Sequence, residues 1–95
     1  MFIINLTYKA DLNKVDQFLD AHIEFLDQQY ELGHFLASGP KVPRTGGIIL
    51  SNVETESHLK NILNEDPFKK NNIAEYELSE FVASKACDEL KFLIE

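Results

Sequence analysis

The residues of this sequence best placed for chemistry are a histidine on an apolar stripe and an aspartate ahead of a proline. His22 sits among Leu12, Val15, Phe18, Leu19, Phe25, Leu26 and Tyr30, which recur at the three-and-four spacing of an amphipathic helix. Burial lowers a histidine's affinity for its proton and a nearby carboxylate raises it again. A half-buried histidine with an acidic partner is therefore a general acid or base suited to neutral pH. On the helix pattern alone the commoner outcome is a core histidine hydrogen-bonded to a backbone carbonyl. Asp66 precedes Pro67 and is biased toward an extended backbone that restricts where its carboxylate points. It is a candidate partner for His22, and equally a residue that hydrogen-bonds the backbone of a turn.

Other chemistries find less support. His22, His34, His58, Cys87 and the acids supply metal-ligand types without a recognised ligand spacing, so no metal is expected. Cys87 falls in a predicted helix with no histidine near it in sequence and reads as a packed or idle thiol. Gly46-Gly47 lacks the further glycines and the lysine of a phosphate loop and reads as a turn into a strand. No cofactor motif is present, so a cofactor-independent reaction is expected.

Elements to hold these residues follow from periodicity. Phe2, Ile4, Leu6 and Tyr8 alternate with Ile3, Asn5 and Thr7, which predicts a strand over 2–8. The helix of His22 follows from residue 12, ended by Gly33. His34 to Gly39 reads as a short strand broken at Gly39-Pro40, and 40–47 as a loop. Residues 48–53 resume strand character, and a short helix begins near Thr55 with Leu59, Ile62 and Leu63 on one face, closed by Asp66-Pro67. A last strand spans 74–82. Ser84 then caps a C-terminal helix in which Ala86, Leu90, Leu93 and Ile94 pack while Asp88, Glu89, Lys91 and Glu95 face water.

The order β-α-β-β-α-β plus a helix is that of an α+β, ferredoxin-like sandwich, with both main helices on one face of an antiparallel sheet. Its other face is expected to show Ile3 and Ile49 among Asn5, Thr7, Ser51 and Ser79, a mixture suited to a dimer interior or a pocket. Ninety-five residues make one domain, 1–95, too small to be very stable without help from a partner subunit. The lone Cys87 excludes an intrachain disulfide and fits a reducing compartment. The N-terminus lacks a secretion signal and no apolar run reaches the ~20 residues of a membrane span, which makes the cytoplasm the default. A net charge of −7, from 16 acidic and nine basic residues, argues against nucleic acid and anionic membrane surfaces.

Taken together, His22 on helix one, Ser38-Gly39-Pro40 after strand two, Gly46-Gly47 before strand three and Asp66-Pro67-Phe68 after helix two resemble the YCII-related (YciI-like) family over nearly the whole chain. The resemblance implies a ferredoxin-like protomer paired as a homodimeric α/β barrel, with a cleft in which His22 and Asp66 form the proposed catalytic pair. It also implies that Ser38 donates to a substrate oxygen while Gly39 and Pro40 shape the turn beneath it. The loop Lys41-Val42-Pro43-Arg44-Thr45 departs from the family pattern in having two basic residues and no acid. Arg44 is a candidate clamp for a substrate carboxylate, or a solvated loop arginine.

Three functions are consistent with this sequence. One is an enzyme moving a proton on a small organic substrate, of lyase or isomerase type, with His22 as acid or base and Asp66 orienting it. Another is a non-catalytic dimeric module that binds a metabolite in the same cleft. The plainest is a stable dimer whose turns serve only the fold.

Overall fold

In the computed structural model, which describes residues 1–94, the chain forms β1 (Phe2–Tyr8), α1 (Leu12–Glu31), β2 (Phe35–Pro40), β3 (Gly46–Ser51), α2 (Glu56–Leu63), α3 (Pro67–Lys70) and β4 (Ala74–Glu80), then a 3-10 helix over Asp88–Leu93. The four strands make one antiparallel sheet in the order β2-β3-β1-β4. This is the α+β, ferredoxin-like arrangement expected from the element order.

Each α-helix starts where a side chain can take up a free backbone N–H. Asp11 accepts from Lys14 N at 2.9 Å to begin α1, and Thr55 accepts from His58 N at 3.1 Å to begin α2. Gly33, at φ 77°, supplies the left-handed turn after α1 that a side chain would strain. Phe2, Ile4 and Leu6 of β1 face Val15 and Phe25 of α1, Leu59, Ile62 and Leu63 of α2, and Phe68 of α3 in one apolar core.

Four local expectations are corrected. β2 runs through Pro40 instead of breaking before it. As an edge strand it has a free side on which a missing N–H costs no ladder bond. On β3 it is Ile49 and Ser51 that point into the core, while Ile48 and Leu50 join Ile3 on the open face. Asp66-Pro67 starts α3 and does not close α2, because the Asp66 carboxylate caps the new turn. The C-terminal helix is a 3-10 turn without a side-chain cap, four residues past Ser84. Leu90 and Phe92 on it and Ile94 just after it are exposed, and Glu95 lies outside the described residues.

Gly46 is where β1 and β3 come closest. A Cβ there would fall 1.8 Å from the carbonyl oxygen of Leu6, so only glycine permits this crossing. The two strands that close on each other here, together with α1 and β2, wall the cavity described next.

Candidate active site

α1 presents His22 to the sheet, and the Asp66-Pro67-Phe68 turn fixes it there. The His22 side chain is 11% exposed, and its Nδ1–H donates to Asp66 Oδ1 at 2.8 Å. Phe68, two residues beyond the aspartate, stacks on the imidazole with ring centroids 4.0 Å apart and planes 5° from parallel. One tripeptide thus supplies the acid that orients the histidine and the ring that covers it.

Asp66 is wholly buried. Its Oδ1 also accepts from Phe68 N at 3.0 Å, and its Oδ2 accepts from the Tyr76 hydroxyl at 2.5 Å. With three donors converging on it, the buried carboxylate has the hydrogen bonds that a group in such a position needs. Burial, reinforced by the adjacent carboxylate, pushes the Tyr76 phenol well above its ordinary value, so it remains a donor. Because the Asp66 carboxylate accepts, His22 Nδ1 is the donor in this contact, and Nε2 is the nitrogen that Asp66 does not engage.

That cavity has a volume of about 230 Å³ and lies between α1, β1, β3 and the β2–β3 loop. Leu6, Leu19, Ile23, Leu26 and Ile49 make most of its wall apolar. His22, Ser38, Gly39, Pro40 and Arg44 all line it, so the structure brings together five of the six residues singled out in sequence. The sixth, Asp66, stands behind His22 and does not border the cavity.

Ser38 shares a 2.7 Å hydrogen bond with the Tyr30 hydroxyl. Arg44 donates from Nη2 to Asp16 Oδ1 at 2.6 Å, and the carboxylate holds the guanidinium proton more firmly than usual. Tyr76 and Asp16 were not anticipated. A tyrosine on the inward face of β4 needs a buried acceptor, and that was the signal available for the first. None pointed to the second.

His34 and His58 do not belong to this site. They meet edge to face, 5.3 Å between centroids, in a separate depression with Asn52 and Glu54, and His34 Nδ1 donates to Gln29 Oε1 at 2.7 Å. Cys87 is exposed. No cluster of three or more histidine, cysteine or acidic side chains disposed to hold a metal occurs among the described residues.

A family model for the YCII-related domain matches residues 1–82. The chain belongs to the YCII-related family. Its YCII-related domain therefore contains His22, Asp66 and every cavity residue, and stops short of the 3-10 helix. No curated protein matches the chain in sequence. Among solved structures, this YCII-related chain is similar to 5-chloro-2-hydroxyhydroquinone dehydrochlorinase (TftG) from Burkholderia phenoliruptrix AC1100, in complex with 2,5-dihydroxybenzoquinone. The TM-score is 0.73 at 16% identity, over 84% of this chain and 91% of that one. At that identity the likeness is one of fold.

Proposed function

We propose that the protein is a cofactor-independent enzyme of lyase or isomerase type, in which His22 moves a proton on a small organic substrate. The observation that carries this reading is the buried contact from His22 Nδ1 to Asp66 Oδ1, which leaves Nε2 unengaged by Asp66 on a histidine that lines a mostly apolar cavity. As base, Nε2 takes a proton from carbon or oxygen. The imidazolium that results is stabilised by the Asp66 carboxylate and returns the proton at another position, or to water after a leaving group departs. The fold is shared with a protein named as a dehydrochlorinase, a lyase-type activity on a small molecule.

Ser38, Gly39, Pro40 and Arg44 make the substrate-binding wall. In this reading the Ser38 hydroxyl, backed by Tyr30, donates to a substrate oxygen as negative charge develops there. The working form is a homodimer joined through the open sheet face. Ile3 and Ile48 are 37% and 38% exposed there, and a second copy would cover them. Sedimentation of the wild type against Ile48→Asp tests the dimer. With only the exposed Cys87 thiol and no helix among the described residues long and apolar enough to cross a membrane, we assign the protein to the cytoplasm.

The test of the chemistry is proton exchange. The protein is incubated in D2O with a panel of hydroxylated cyclic acids and quinols, and deuterium entry at carbon is followed by NMR. His22→Gln is expected to abolish entry for any substrate the wild type turns over. Undiminished exchange in that variant overturns the proposal, and tight binding without exchange across the panel turns the cavity into a metabolite-binding site.

A further inference from the structure

The β2–β3 loop brings the guanidinium of Arg44 to the wall of the cavity, where it meets Asp16, 28 residues earlier in the chain. Both partners are half in solvent, the side chains being 38% and 53% exposed. An ion pair in that setting is weakly held, since water screens the attraction and two long side chains must be ordered to make it. The contact uses one donor of a group that has five. Among the described residues, Arg44 is the one lysine or arginine that lines the cavity, on a chain of net charge −7.

We infer that this rim is an anion-binding subsite, in which Arg44 takes the carboxylate of a small planar acid and Asp16 is the latch that holds the guanidinium until that acid arrives. The inference rests on the reading of the cavity as a substrate site and names the class of substrate. Exchange of one carboxylate for another preserves the charge-assisted hydrogen bonds of the arginine, and the incoming group can use both arms of the fork. The exchange leaves Asp16 to solvent, at little cost for a group already half exposed.

Geometry sets the size of the acid. Asp16 and His22 are six residues apart on α1, about 9 Å along the helix axis. Arg44 contacts the first and the acting nitrogen belongs to the second, so the substrate's anionic end and its reacting atom lie apart along α1, in a cavity of about 230 Å³ that admits one substituted six-membered ring. The apolar side chains of Leu19 and Ile23, also on α1, line the cavity and suit the body of such a ring.

Binding of benzoate and of its neutral counterpart benzamide, followed by NMR shift perturbation, tests the subsite. Wild type is expected to prefer benzoate by about tenfold, the worth of a charge-assisted contact. Arg44→Gln should equalise the two probes, and Asp16→Asn should tighten benzoate several-fold while leaving benzamide in place. Absence of a benzoate preference in wild type, including failure of either probe to bind, overturns the subsite. An unchanged preference in Arg44→Gln does the same. These outcomes are separable from the proton chemistry, because loss of His22-dependent deuterium exchange with the benzoate preference intact removes the enzyme reading and spares the subsite.

Discussion

Two acid–base pairs each put one member on the cavity wall at nearly the same separation, His22 with Asp66 at 2.8 Å and Arg44 with Asp16 at 2.6 Å. Distance alone would rank the second higher. Surroundings reverse that order. Asp66 is wholly buried, accepts from three donors and is covered by Phe68, whereas Asp16 accepts one hydrogen bond from a side chain half in water. The first pair fixes a proton on a chosen nitrogen. The second can part and re-form, which suits a contact that a ligand must displace.

Removing a partner is the most direct way to break that contrast. Asp66→Ala strands a buried histidine, the Tyr76 hydroxyl and the Phe68 N–H together, and is expected to cost about 3–5 kcal/mol in denaturant unfolding. Asp66→Asn keeps the shape and loses the charge, so its cost should be smaller. Its sharper readout is the 15N spectrum of the His22 ring, which should show Nδ1 protonated in the wild type and a mixture of tautomers in the variant. A single unchanged tautomer would mean that Asp66 does not orient the ring.

Tyr76→Phe comes next, at about 1.5–3 kcal/mol for a hydrogen bond to a charged group. The phenol also makes stability depend on pH. Its folded-state value is raised above the ordinary 10.0, so its contribution is full below pH 10 and falls as the pH climbs beyond it, when only the unfolded chain gives up the proton. Tyr76→Phe should flatten that alkaline decline, and an equal slope in both proteins would break the assignment. At the bottom of the scale, Asp16→Ala should leave the unfolding midpoint where it is while changing anion binding.

The sequence exposed the buried pair more readily than the exposed one. His22 could be read because an apolar stripe makes a polar intruder visible, and Asp66 because the Asp-Pro-Phe turn completes a family pattern; that the two meet across 44 residues came from the resemblance and from no property of either segment. Tyr76 fell on the inward side of a correctly predicted strand, but alternation says nothing about where a phenol finds its acceptor. The orientation of β3 was misjudged because Ile48, Ile49 and Leu50 form an unbroken apolar run, in which a period of two has no phase. Asp16 is one of many acids on a solvated helix face, and only the fold of the β2–β3 loop distinguishes it.

The placement of β2 bears on how a ligand gets in. β1, with Leu6 and Tyr8 on the cavity wall, is clamped between β3 and β4, and α1 is anchored in the core, but β2 has a neighbour on one side only. Its pairing with β3 also carries an irregularity between Phe35 and Ala37. Amide exchange should therefore be fastest along Ser38 and Gly39 and slowest in β1. One wall of the cavity is thus paired on both edges and another on a single edge, and the edge strand is the wall expected to yield to an entering ligand.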